Sequence, residues 1–528
     1  VISFVVILLV HCALVDDPSI DADFVIRGAT VHDGSGAPGR PADIAIKGDR
    51  IVGIGRFDKA EKATIIDGRG LTAAPGFIDL HTHCDTGIPP ITEPAGRANL
   101  CYLMQGVATV ITGNCGTGPL DVAEYYGKLE KGHIGTNVLH QVPHNAVRQS
   151  ITGNVDRPPT FEEMKKMEAL VERGMIDGAW GLSTGLYYNP GAYARTEELI
   201  TLAKVAARHG GFYASHMRNE GSGVLASIEE VLTIGRNAKL PVHISHLKAF
   251  GPKTWGKAAD ELALITHARE VGLSVTADQY PYTASSTSII AELVPPAYRQ
   301  GKPEDFLARL NDREQGPRVR EGIANTMKEL NAGKSIRIAR YAANPSWQGK
   351  VLAAIAEKEN KPVLEIVVEI LKHGGAQIVA FSMSEEDVRL IMKQPFVATA
   401  SDGSSQVPGE TVPHPRSYGC FPRKIGRYAI EEKLLSLEAA IRSASGLPAD
   451  ILRLKDRGYL KPGFFADIVL FDPKEFRDQA TFDKPHQYAT GVRHSFINGQ
   501  PVIREGKYTG ALAGRVLRHP EPDHGKSQ

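Results

Sequence analysis

The chain has 528 residues, of which 42% are hydrophobic and 23% charged, so it can bury a large core and has an ordinary globular mix. Its 61 basic and 60 acidic side chains leave no net field to attract nucleic acid or anionic lipid, and neither is expected as a partner. Five scattered cysteines, Cys12, Cys84, Cys101, Cys115 and Cys420, argue by their odd number against a disulfide framework, so at least one is a free thiol or a ligand.

The opening run, VISFVVILLVHCALV, is apolar but too short to span a bilayer. Residues 1–20 read as a secretory signal segment without its basic start, which predicts export to the periplasm or the medium, with a cytoplasmic location as the alternative. No later stretch is long and apolar enough to predict a membrane span. From Asp23 to about Thr72, alternating apolar residues bounded by Asp-Gly and Gly-rich turns predict hairpins. The C-terminal stretches GYLKPGFFADIVLFD and GVRHSFINGQPVIREGKYTG follow the same pattern. Residues 21–74 and 455–528 are therefore expected to build one small β-sandwich domain from both termini.

Between them, over 75–454, apolar strand-like runs alternate with amphipathic helical stretches, which predicts an α/β unit of the (β/α)8 TIM-like barrel type. The strand candidates are GFIDLHTH, GVATVITGNCG, GTNVLHQV, GAWGLSTG, GGFYASHM, LPVHISHL, GLSVTADQY, AQIVAFSM and PFVATASDG. That is one strand too many for eight, and AQIVAFSM is the one expected to lie outside. A polar stretch at about 285–360 interrupts the rhythm and reads as an insertion, either a lid or an ordinary elaboration.

In a parallel barrel, chemistry gathers at the carboxyl ends of the strands. The polar residues closing these strands are His81 and His83 in an HxH pair, Cys115, His216, His246, Tyr282 and Asp402. Imidazoles, a thiol and a carboxylate converging on one edge form a ligand set for zinc with room for water. His243 competes with His246, because residues of opposite parity on one strand cannot both point inward. Asp402, followed by Gly403, would on base rates be a turn residue, and Cys84 and Cys101 are read as structural. The Arg416 fork suits a carboxylate ligand if its loop folds over the site.

The motifs PGFIDxHxH, TGNCG, GLSTG, SHMRNEG, YPYTA, HPR and the closing GRVLR resemble the metal-dependent amidohydrolase superfamily, and within it the D-aminoacylase (N-acyl-D-amino-acid deacylase) family. The resemblance runs from about Asp23 to Arg518. It implies a small-molecule substrate and one tightly bound zinc ion on Cys115, His216 and His246, with a second, weaker or vacant position on His81, His83 and Asp402. By the same resemblance, Asp402 moves the proton, while Arg416 and Tyr282, with Lys248, anchor the substrate α-carboxylate. The implied reaction is hydrolysis of an N-acyl-D-amino acid to a carboxylate and a free D-amino acid, and the D preference comes entirely from the resemblance. The alternatives are a cyclic-amide hydrolase of the hydantoinase or dihydroorotase type, an N-acyl-D-glutamate or N-acyl-D-aspartate deacylase, and a non-catalytic scaffold. Leu186, Tyr187 and Tyr188 follow the fourth strand and would either line the side-chain pocket or pack under a loop.

Overall fold

The computed structural model of the protein describes residues 19–520. The segment read as a signal, 1–20, lies outside the described residues except for its last two, which meet Lys59: Ser19 forms a bridge to it and the Ile20 N–H donates to its carbonyl. Among the described residues, no helix is long and apolar enough to cross a membrane.

The two ends of the chain pair in one nine-stranded sheet. Its seam is the antiparallel pairing of Thr72–Pro75 with Ile468–Phe471. Ile26, Ile44, Ile46, Ile468, Leu470 and Phe496 close a core of their own, as the period-two spacing of those strands requires. The C-terminal segment then leaves this sheet. The Gly514 N–H donates to the Ile134 carbonyl at 2.8 Å, the Leu517 N–H donates to Val138, and the Trp180 indole donates to the Leu517 carbonyl at 2.6 Å. Residues 514–519 thus lie against the middle of the chain.

The middle is a mixed α/β fold whose parallel strands form two runs. Phe77–Asp79, Val107–Thr112 and Asn137–His140 pair in that order. Val142–Pro143, Gly181–Gly185, Phe212–His216, Val242–Ile244, Val275–Gln279 and Val397–Thr399 pair in theirs. Gln141 alone separates the runs in sequence, and an isolated parallel bridge between Thr82 and Gly403 links the segments that follow the outermost strands. Both faces of the strands are covered. Ile78, Ile111, Leu139, Phe212 and Ala398 share one apolar cluster, whereas Phe77, Val110, Val138, Tyr213 and Val397 belong to another that includes the helices. Burial on two sides is why these strands read as nearly unbroken apolar runs. Phe161–Ile176 illustrates the helices: Thr160 and Glu163 form a capping box, and Met167, Val171 and Met175 turn one stripe inward. Each such buried side chain contributes about 1.5–3 kcal/mol of transfer free energy.

The excursion from the parallel strands is longer than the 285–360 expected. Ala284–Ser288, Ile336–Arg340 and Gln377–Phe381 form a three-stranded antiparallel sheet with Gln377–Phe381 in the centre. It extends to Phe381 because this last strand completes the sheet, and the AQIVAFSM stretch accordingly lies outside the parallel runs. Helices including Pro303–Asn311, Gln315–Glu329 and Val363–Lys372 pack with it around a separate core of Phe306, Ile323, Trp347 and Ile366. The first strand of this sheet brings Ser286 to the cavities at the strand ends.

Candidate metal centre and active site

Cys115 stands at the hub of the strand-end residues. It belongs to the loop after Val107–Thr112 and adopts a left-handed backbone (φ 53°), flanked by Gly113 and Gly116, also left-handed. A Cβ at Gly116 would collide with the Asn145 side chain, so only glycine lets the loop close over the strand ends. The Cys115 thiol then meets three imidazoles, with Sγ 3.3 Å from His81 Nε2 and 3.7 Å from both His216 Nδ1 and His246 Nε2. At the same His81 nitrogen, the Asp402 carboxylate lies 3.5 Å from Nε2, and it is 3.2 Å from His83 Nε2. Three compact donor groups result: His81, Cys115 and His246; His81, His83 and Asp402; and His216, Glu220 and His246. His246 (φ 36°) and Asp402 (φ 49°) share the left-handed backbone of Cys115. Strain of this kind in non-glycine residues persists where the surrounding structure fixes a functional geometry.

The competition between His243 and His246 resolves outside the parity rule. The strand ends at Ile244, and the left-handed turn at His246 brings its ring into the donor cluster. His243 sits below, hydrogen-bonded to Thr276 Oγ1 and to Asp278 Oδ2, each at 2.8 Å. Asp278 also lies 3.5 Å from His81 Nδ1 and accepts from the His246 N–H at 2.7 Å, so one carboxylate steadies three histidines. Neither Asp278 nor Glu220 was foreseen as a site residue. Glu220 receives Lys248 Nζ on both oxygens at 2.8 Å and lies 2.9 Å from His246 Nδ1.

These partners set the charges. Burial would raise the Asp402 carboxyl, but Arg416, His246 and His81 overcome it and hold the group well below the usual carboxylate range. Glu220 is likewise lowered against its burial, by Lys248 and the two neighbouring imidazoles. Burial brings His81 down to about 4 and His216 well below its ordinary value, leaving neutral rings. The Cys115 thiol is pushed up by burial, with Asp402 and Glu220 adding to the shift.

Two cavities open on either side of Asp402. One, of about 420 Å³, is walled by Tyr187, Tyr188, Glu220, Lys248, Phe250 and Glu292; the other, of about 490 Å³, by His83, Arg340, Gln377, His414 and Arg416. Ser286, from the first strand of the excursion, lines both. Lys248 and Arg416 therefore lie where a substrate could reach them, and so do Tyr187 and Tyr188. Arg416 Nη1 pairs with Asp402 Oδ2 at 2.8 Å, and its guanidinium lies 4.8 Å over the Tyr280 ring. Tyr282 does not reach the large cavities. Its ring packs edge-on against His414 and Phe482, under the Arg423 guanidinium. The reason is local: the strand ends at Gln279, and the Tyr282 N–H donates to the Tyr280 carbonyl in a tight turn around Pro281, which diverts the chain. Tyr280 takes the cavity wall instead.

Residues 64–503 match the amidohydrolase family. The D-aminoacylase of Alcaligenes xylosoxydans xylosoxydans is 35% identical over 94% of this chain and 97% of its own length. The chain belongs to the amidohydrolase family. Two solved structures share its fold over 94% of the chain and 100% of their own: a D-aminoacylase with a binuclear metal centre (TM-score 0.80, 33% identity), and an N-acyl-D-glutamate deacylase of Bordetella bronchiseptica complexed with zinc and a phosphonate mimic of the reaction tetrahedral intermediate (TM-score 0.79, 32% identity). This amidohydrolase has a donor set that fits a divalent ion. For zinc held by imidazole at about 2.0–2.1 Å and thiolate at about 2.3 Å, tetrahedral geometry separates sulfur from nitrogen by about 3.6 Å, close to the three separations around Cys115. His81 Nδ1 and His216 Nε2, the ring nitrogens turned away from Cys115, lie 3.5 Å from Asp278 and 3.8 Å from Glu220, which leaves His81 Nε2 and His216 Nδ1 facing the thiol.

Proposed function

We propose that this amidohydrolase hydrolyses the amide bond of N-acyl-D-amino acids with zinc as its metal, on parallel strands that close as a (β/α)8 barrel. The Cys115 thiol ringed by three imidazoles beside Asp402, between two substrate-sized cavities, is the observation that carries this reading. Cys115, His216 and His246 would hold the tighter ion, and His81, His83 and Asp402 a second, weaker one, with His81 Nε2 close to both. Bound there, zinc supplies a Lewis acid that makes water acidic enough to attack at neutral pH and polarises the acyl carbonyl.

The chain's own residues do the rest. Asp402, ionised and held by Arg416, accepts a proton from the attacking water and returns it to the amine as the C–N bond breaks, leaving a carboxylate and a free amino acid. The cavity with Lys248, Tyr187 and Tyr188 would receive the amino-acid half and the other the acyl group. Lys248 and Tyr280 on the wall of the amino-acid cavity, with Arg416 reaching Tyr280 from the other cavity, suit the α-carboxylate: the Tyr280 ring lies 5.8 Å from Lys248 Nζ and 4.8 Å from the Arg416 guanidinium, and its buried hydroxyl has no hydrogen-bond partner. Tyr280 thereby replaces Tyr282 in that role.

Assay of N-acetyl-D-methionine and N-acetyl-L-methionine, before and after chelation, tests the proposal. Hydrolysis of the D compound, lost with chelator and regained with zinc, is expected. Turnover confined to the L compound, or unaffected by removal of all metal, would overturn it.

A further inference from the structure

Glu292 is a buried carboxylate of the amino-acid cavity that the proposed reaction does not use. It lies in the short helix Ile289–Leu293, which follows the first excursion strand and is capped by Ser288, whose hydroxyl accepts from the Ala291 N–H. The residue is 5% exposed, and its Oε1 is buried without a hydrogen-bond partner. Other carboxylates on this wall are compensated: Glu220 by Lys248, Asp402 by Arg416 and Glu329 by Lys253. Among the described residues no such cation pairs with Glu292. Arg299, the cation behind it, lies instead against Tyr187, donating to that residue's carbonyl and placing its guanidinium 6.0 Å from the ring.

A buried carboxylate without a partner is costly to ionise, and one that lines a cavity is placed to be ionised by a cation arriving there. The cavity offers the right approach. Tyr187, Tyr188 and Phe250 give apolar surface for an alkyl stem, with Glu292 among them. Burial, with Glu220 adding to it, pushes the Glu292 carboxyl up to about 7 against the pull of Lys248 and Arg299. A cation in contact would favour its ionised form.

We propose that Glu292 selects N-acyl-D-amino acids whose side chain ends in a cation, such as lysine or arginine, by pairing with that cation inside the amino-acid cavity. The inference rests on the deacylase reading above. It also bears on the acidic-substrate alternative: Glu292 offers an N-acyl-D-glutamate side chain entering here no cation to pair with.

The test compares kcat/KM of the zinc-containing full chain for N-acetyl-D-lysine, N-acetyl-D-norleucine and N-acetyl-D-glutamate. Norleucine presents the lysine stem without the ammonium. The lysine-to-norleucine ratio is expected to exceed ~10, with glutamate poorest, and Glu292→Gln should reduce that ratio at least ~10-fold, mainly through KM for lysine. Glu292→Lys should bring glutamate above lysine. The wild-type ratio tests the assignment even if neither variant folds. Hydrolysis of norleucine with a lysine ratio at or below one, or a Glu292→Gln enzyme that keeps the wild-type ratio, would overturn the role of Glu292 alone. Hydrolysis of none of the three would overturn the deacylase reading and this inference with it.

Discussion

Two sets of carboxylates in this protein, both shielded from solvent, are held in different ways. Asp402, Glu220 and Asp278, at the donor cluster, each face a cation or imidazoles at 2.8–3.8 Å. Glu292 on the cavity wall and Glu261 in the helix Ala258–Glu270 have oxygens buried without any hydrogen-bond partner. Removing a carboxylate from water without compensation costs several kcal/mol, which the first group offsets with fixed partners and the second avoids by retaining protons. The difference separates groups whose charge is built into the site from groups whose charge depends on what arrives.

The largest effect is expected where a fixed charge also moves a proton. Asp402→Asn keeps the shape but removes the base, and should lower kcat at least ~10³-fold while leaving a folded protein that retains zinc on Cys115, His216 and His246. Steady-state kinetics with elemental analysis would check this. Activity within tenfold of wild type would place the base elsewhere.

A smaller loss is expected at Glu220, which positions Lys248 and His246. In Glu220→Gln the lysine loses its counter-charge and the imidazole its orienting partner, so zinc affinity or kcat/KM should fall ~10–100-fold. Competition with a chromogenic chelator separates the two effects. If both stay within twofold of wild type, the compensated group is not needed for function and the contrast between the groups fails.

Much of this cluster is legible in the sequence because its members follow strands. Phe77–Asp79 leads directly to the HxH pair, Val107–Thr112 to Cys115, and Val397–Thr399 to Asp402, so apolar runs ending in polar residues indicate where chemistry gathers. The terminal sheet is legible for a similar reason, since Asp-Gly and Asn-Gly turns punctuate alternating strands. What is hidden depends on the path of the chain after a strand stops. Glu220 follows His216 by four residues in a loop, with no periodicity to aim it. Tyr280 and Tyr282 share parity, and only the turn at Pro281 separates them. Glu292 in a short helix reads as an ordinary solvent-facing residue until the excursion folds it against Tyr187. The HxxxE spacing of His216 and Glu220 was the one sequence signal available among these.

The smallest expected effect uses Glu261, which lacks compensation as Glu292 does but faces none of the described cavities. Its burial, with Asp387 nearby, pushes the carboxyl up to about 8. Between the unfolded value of about 4.5 and this folded value, the native state holds a proton that the unfolded chain has released. Glu261 therefore stabilises the fold least at high pH: its contribution is complete below about 4.5 and is lost as pH rises toward 8, by at most ~1.4 kcal/mol per unit. Glu261→Gln removes this titration, so the stability of the variant relative to wild type should increase from pH 5 to pH 8, as measured by denaturant unfolding at each pH. The lysine-to-norleucine ratio should meanwhile stay at its wild-type value, since this side chain meets no substrate. A pH-independent stability difference would mean that Glu261 is compensated after all, whereas a changed substrate ratio would show that an unpaired carboxylate can influence selection without lining the cavity.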